Sequence, residues 1–220
     1  MANPRAAAWA MLPTAALLAL NGLYLGPAFR ASTPLFWFLD AAQFVLVPLA
    51  SLWLLWRFAA LRPRDYGLGP LLGPQPRPSA VLLYPLIIAA FAYGYGAARL
   101  LALFVPWEWP ASAFVYTQAF PHHPAGSLAL LAYLVLSEAL TEEVVFRGLP
   151  ALWLRGPAYV LVSAAAFAAI HWESGTREAV AAFLLGLVLA ALYLKTRNLW
   201  PFVAGHALTD MLAFTGSYTY

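Results

Sequence analysis

Along this 220-residue chain, long apolar runs alternate with short stretches rich in proline, glycine and charge. Apolar runs occupy residues 6–24, 35–60 and 80–104, and a fourth opens near residue 127 and is punctuated by Pro150, Gly156 and Pro157. Three more cover residues 158–172, 178–195 and 199–214. A helix needs roughly 20 apolar residues to cross hydrocarbon, so the pattern predicts an all-α, polytopic membrane bundle of about seven transmembrane helices. The first run could be mistaken for a signal peptide, but no small-residue cleavage site follows it, and it reads as a retained helix kinked near Pro13. Asp40 and Gln43 fall in the first turns of the second run and read as an outer-end cap.

The breaks between the runs set the orientation. Residues 61–79 hold Pro63, Pro70, Pro74, Pro76 and Pro78 with Gly67, Gly69 and Gly73, a composition no helix tolerates. Arg57, Arg62, Arg64 and Arg77 make that loop basic, hence cytoplasmic. Residues 105–126 carry Trp107, Trp109 and Tyr116 but no Lys or Arg, which suits an outer loop lying at the headgroups. Alternation then puts the N-terminus in the cytoplasm and the C-terminus outside. Arg5, Arg147, Arg155, Lys195 and Arg197 fall inside, against Arg30, Arg99 and Arg177 near the outer side. The remaining Trp and Tyr residues read as interfacial belt and core.

Composition sharpens this picture. The chain is 63% hydrophobic and 10% charged, with a mean hydropathy of +0.74, far from the roughly one-quarter charged residues of soluble domains. The length allows one membrane-embedded domain, residues 1–220, with 127–214 as its motif-bearing core, and shows no internal repeat. A net charge of +3, mostly explained by cytoplasmic arginines, gives no argument for nucleic acid. There is no cysteine, so disulfides and thiolate chemistry are excluded and a metal site would have to use His and carboxylate.

Against this background, Ser137 to Gly148 is anomalous: three glutamates and an arginine occupy a membrane helix. Ionisable groups there cost several kcal/mol each, so they mark function and call for internal partners. Glu143 and Arg147 are four residues apart with the acid first, the favourable order for an ion pair on one helix face. Glu142 points about 100° away, which leaves it free to face a cavity as a general base. Glu138 lies one turn before Glu142 and has no assigned role. Two other runs bring histidines: Phe167 precedes His171 by four residues, and His206 precedes Asp210 by four. Glu142 and His171 each lie about 20 Å from the turn at residues 155–157 if the fourth helix continues through Pro150, and His206 and Asp210 lie on the order of 12 and 18 Å above Asn198. The groups can therefore share one layer. His122 and His123, in the proline-flanked outer loop, read as bystanders, and Glu173, Arg177 and Glu178 read as a helix boundary.

Glu142-Glu143-Val-Val-Phe-Arg147, Phe167-Ala-Ala-Ile-His171 and His206-Ala-Leu-Thr-Asp210, in this order, resemble the three motifs of the CAAX-processing and bacteriocin-immunity family of intramembrane endopeptidases. Many members have Asn in the final position, where this chain has Asp210. The resemblance implies hydrolysis of a peptide bond at or within the membrane. Glu142 and His171 would hold and activate a water, His206 and Asp210 would stabilise the oxyanion, and Glu143 and Arg147 would complete the site. It implies a membrane-associated peptide or protein substrate, lipidated or with a transmembrane segment. No cofactor is expected, the alternative being zinc held by Glu142, His171 and His206. The same buried groups would also serve a proton-coupled transporter, or be retained in a non-catalytic immunity or scaffold protein. The Ala/Leu/Arg-rich composition suggests a prokaryotic inner or plasma membrane.

Overall fold

The structure, a computed structural model, describes residues 4–72, 78–108 and 128–214. Trp109, Tyr116, His122 and His123 of the expected outer loop lie outside the described residues, as does Arg77. Among the described residues there are nine α-helices and no strand. They are α1 (Pro4–Ala19), α2 (Asn21–Ala31), α3 (Thr33–Ala41), α4 (Val47–Ala59), α5 (Pro78–Ala102), α6 (Leu128–Glu143), α7 (Gly156–Ile170), α8 (Thr176–Thr196) and α9 (Trp200–Phe214). The expected all-α membrane bundle is what forms.

Among the described residues, Thr33–Ala59, Val81–Ala102 and Thr176–Thr196 are each long and apolar enough to cross a membrane, and the bent pair α1–α2 makes a fourth if counted as one span. The other helices of the expected seven are shorter, with α6 at 16 residues and α7 and α9 at 15 each. Large apolar side chains such as Trp53, Phe58, Leu86, Tyr93 and Phe104 are exposed on the outside of the bundle, as a lipid-facing surface requires. Inside, α8 packs against α5 and α7, α9 against α5 and α6, and α1 against α4.

Three local features depart from the sequence expectation. The first is the bend in the N-terminal run. It falls at Leu20, where α1 meets α2 at 56°, whereas Pro13 sits inside α1. The Leu23 N–H turns to Leu20 O, and the Ala19 carbonyl so released accepts instead from Trp172 Nε1 at 2.8 Å. Gly22 N–H donates to Glu173 Oε1 at 3.0 Å. The 3₁₀ turn Trp172–Ser174 that follows α7 thus takes up backbone groups freed by the break. A Cβ on residue 22 would overlap the Glu173 carboxylate, so glycine is needed for the approach.

The second is Asp40 and Gln43. They are fully buried instead of capping a helix end: Tyr133 OH donates to Asp40 Oδ2 at 2.9 Å, and Tyr24 OH donates to Gln43 Oε1. The cap belongs to Ser32, whose Oγ accepts from Leu35 N. Polar residues early in an apolar helix read equally as cap or as buried partner, and only the neighbouring tyrosines decide between the two.

The third is helical pitch. α3 and α4 are joined by a π turn, Ala42–Leu46, and α6 continues as a second π turn, Val144–Gly148, before the 3₁₀ turn Pro150–Leu152. The fourth run therefore does not pass Pro150 as α-helix. Carbonyls along the π turns are bonded by neighbouring hydroxyls: Thr141 Oγ1 donates to Phe44 O at 2.9 Å, Ser163 Oγ to Phe146 O at 2.5 Å and Tyr159 OH to Arg147 O at 3.1 Å. Such turns often mark functional sites, and here one carries Arg147.

Two latches set the height of α9. The basic loop is bound to its start by Leu199 N to Gly67 O at 3.0 Å and Trp200 Nε1 to Gly69 O at 2.7 Å. Arg197, just before α9, donates from Nη1 to Ala151 O at 3.1 Å, tying the end of the α6 run to the start of α9.

Candidate active site

Two buried acids, adjacent in sequence, divide between two jobs. Glu143 Oε1 lies 3.1 Å from Arg147 Nη1, and both side chains are wholly removed from solvent. The guanidinium is off the hydrogen-bonding direction, and its three nitrogens have no hydrogen-bond partner among the described residues. What holds it is the Glu143 charge on one side and the ring of Phe167, 3.8 Å from the guanidinium carbon to the centroid, on the other. The same ring lies 4.7 Å from the His171 ring and meets His206 edge-on at 6.0 Å. Phe167 is therefore the contact through which Arg147, His171 and His206, from three separate runs, are brought together.

Glu143 has a second partner that the sequence reading did not assign: His206 Nδ1 at 2.8 Å. A carboxylate paired with an arginine accepts, so Nδ1 carries the proton and donates. Nε2 of the same ring then faces Asp210 Oδ2 at 3.5 Å and Glu142 Oε2 at 3.8 Å. Phe91 of α5 stacks on the imidazole with centroids 5.4 Å apart and planes 27° apart. No spacing in the sequence pointed to Phe91. The nearest signal is Gly205, where an added Cβ would lie 2.6 Å from the Phe91 ring.

His171 ends α7 and directs Nδ1 to the Phe167 carbonyl at 2.8 Å. A carbonyl only accepts, so Nδ1 carries the proton, and in the neutral ring Nε2 is left as an acceptor. Glu142, His171, His206 and Asp210 all line one cavity of about 420 Å³, together with Glu138, Phe91 and Phe167. Glu138 Oε2 is buried there without a hydrogen-bond partner among the described residues. The six expected site residues are thus in one place, four on the cavity wall and Glu143 and Arg147 behind it. Among the described residues no group of three His, Asp or Glu side chains is arranged to hold a metal ion.

Glu173 and Glu178 do more than end a helix. Glu173 holds the α1–α2 break, and Glu178 Oε2 receives Arg99 Nη1 at 2.9 Å; all three residues line the same cavity.

Fold and site together define an integral membrane protein with a cavity of acid–base side chains inside an apolar helical bundle. Residues 124–212, the stretch that carries the three motifs, match the family model of type II CAAX prenyl endopeptidase Rce1-like proteins. No curated protein and no solved structure matches the chain.

Proposed function

We propose that the chain is an intramembrane endopeptidase that hydrolyses a peptide bond of a membrane-associated, prenylated or membrane-inserted substrate with a water activated by Glu142 and His171. The observation that carries this reading is the meeting of Glu142, His171, His206 and Asp210 on one cavity, with both imidazoles fixed through Nδ1. Fixing Nδ1 leaves an acceptor on His171 and a carboxylate on Glu142. A water between them donates one hydrogen to each and turns a lone pair towards the substrate carbonyl.

Attack on that carbonyl moves the water proton to Glu142 and places negative charge on the carbonyl oxygen. His206, with Nδ1 committed to Glu143, presents Nε2–H to that oxygen as the imidazolium, and Glu143 behind it supports the positive charge. Asp210 donates to the oxyanion only in its protonated form; as a carboxylate it holds the imidazolium at Nε2. Collapse of the tetrahedral species breaks the C–N bond, and Glu142 returns the proton to the leaving amine. Water enters and an acid and an amine leave, with Glu142 restored.

With Nδ1 of His206 on Glu143 and Nδ1 of His171 on the Phe167 carbonyl, Nε2 of each ring is left for the cavity, and the metal-free form needs only that acceptor on His171 and the carboxylate of Glu142. No step above runs through an ion. The test is cleavage by purified protein of a prenylated peptide and of an unmodified transmembrane peptide, each with and without chelator. The expected result is cleavage that chelator does not abolish. Absence of cleavage of both peptides contradicts the protease reading, and loss of activity on chelation with recovery on zinc contradicts the metal-free form.

A further inference from the structure

The end of the bundle remote from the cavity mouth gathers cations that the site does not use. Arg57 closes α4, Arg62 and Arg64 lie in the loop after it, Arg155 precedes α7, and Lys195 and Arg197 end the α8 run; all six are exposed. Residues 57–72, 150–157 and 193–200, which supply them, hold a single acid, Asp65. Its Oδ2 accepts from Arg62 N–H at 2.7 Å, and its Oδ1 stands 3.9 Å from Arg64 Nε. Among the described residues no carboxylate pairs with Arg57, Arg62, Arg155, Lys195 or Arg197.

These stretches meet because the loop turns its carbonyls inward. Tyr66 O accepts from Tyr193 OH at 3.1 Å, Gly67 O from Leu199 N at 3.0 Å, Gly69 O from Trp200 Nε1 at 2.7 Å and Leu71 O from Asn198 Nδ2 at 2.9 Å. Arg197 Nη1 donates to Ala151 O at 3.1 Å and brings in the third stretch. With these carbonyls committed inside, basic side chains are what the outer face presents. Such a face calls for an anion, and the planar forks of its arginines match phosphate oxygens. Position names the source of that anion. Trp53, Trp56 and Phe58 are exposed on the last turns of α4 around Arg57, so the lipid-facing apolar surface ends where the cations begin, at the level of phospholipid headgroups. The sequence reading puts this end in the cytoplasm, the side on which anionic lipids attract basic segments.

We propose that this basic end binds anionic phospholipid headgroups, and that the bound headgroups press the loop against the start of α9, the helix that carries His206 and Asp210. His206 lies six residues beyond Trp200, about 9 Å along the helix, so whatever steadies the start of α9 steadies the height of the imidazole. The proposal goes beyond the protease reading and does not depend on it.

The test uses full-length protein in vesicles of phosphatidylcholine alone and in vesicles with one-third phosphatidylglycerol. The anionic lipid is expected to raise the thermal midpoint by on the order of 5 °C. It is also expected to slow amide exchange at Leu199, whose N–H is the bond to Gly67 O, by about fivefold or more. Both effects should fade in about 1 M sodium chloride, where charges are screened beyond about 3 Å. A variant with Arg62, Arg64, Arg155 and Lys195 all changed to Gln should melt alike in the two vesicles; Arg197 is kept because its bond to Ala151 O belongs to the fold. If that variant does not fold, the salt dependence of the wild type decides. No rise in midpoint, or a rise that survives high salt or persists in the four-Gln variant, overturns the headgroup site. So does an equal rise with inorganic phosphate in phosphatidylcholine vesicles, the outcome for a site that takes soluble phosphate. A rise with unchanged exchange at Leu199 overturns the link to α9.

Discussion

His206 Nδ1 lies 2.8 Å from Glu143 Oε1, the same oxygen that stands 3.1 Å from Arg147 Nη1. One carboxylate oxygen thus compensates a buried guanidinium and fixes the imidazole that faces the cavity. Removing one partner of a buried pair leaves an uncompensated charge at a cost of about 3–5 kcal/mol. Glu143→Ala is therefore expected to lower the thermal midpoint sharply. Glu143→Gln, which keeps an acceptor for Nδ1 but loses the charge, should destabilise less while still lowering kcat. Thermal melts alongside peptide cleavage read both effects; a wild-type melting point in Glu143→Ala contradicts the buried-pair assignment.

Phe167 links motifs that are far apart in sequence, because its ring carries Arg147 at 3.8 Å and His171 at 4.7 Å. Phe167→Leu keeps most of the apolar volume and removes the π face. The expected loss is about 2 kcal/mol of stability, the upper range for a desolvated cation–π contact. A melt unchanged from wild type would show that the ring only fills space.

At residue 205 stability and activity are expected to part. Alanine favours the helix by about 1 kcal/mol over glycine, yet its Cβ would lie 2.6 Å from the Phe91 ring that stacks on His206. Gly205→Ala should displace that ring and with it the imidazole, and misplacement of about 1 Å costs on the order of a hundredfold in rate. Cleavage falling at least tenfold in a folded variant is the expected outcome; full activity would remove Phe91 from the support of the site.

The all-α membrane bundle and the residues that meet at the cavity were legible in the sequence for the same reason: apolar runs define helices, and charge inside such runs has to find partners. Glu142, Glu143, Arg147, His171, His206 and Asp210 announced themselves by being out of place. What was not legible depended on neighbours distant in sequence. Pro13 carries the usual kink signal, but the bend falls at Leu20 because Trp172 and Glu173 are there to take the freed backbone groups. Asp40 and Gln43 looked like a cap because Tyr133 and Tyr24 are 93 and 19 residues away. The π turn at Val144–Gly148 depends on hydroxyls from α7, so helical pitch could not be read from its own residues. Phe91 is an ordinary core aromatic until its contact with His206 is seen.

The lock on the N-terminal bend has its own test. Glu173→Ala leaves the half-buried Gly22 N–H without its acceptor, a loss on the order of 1 kcal/mol. Amide exchange at Gly22 is expected to speed up, whereas Glu173→Gln keeps an acceptor oxygen and should restore most of the protection. Unchanged exchange in the alanine variant would mean that the bend is held by other contacts.

The central claim is that Glu142 is the base that activates water, and cleavage of a prenylated peptide by Glu142→Gln measures it most directly. The side chain keeps its size and loses its basicity, so the protein should remain folded, with kcat lowered by about a hundredfold or more. A folded Glu142→Gln protein that cleaves at the wild-type rate would contradict the account.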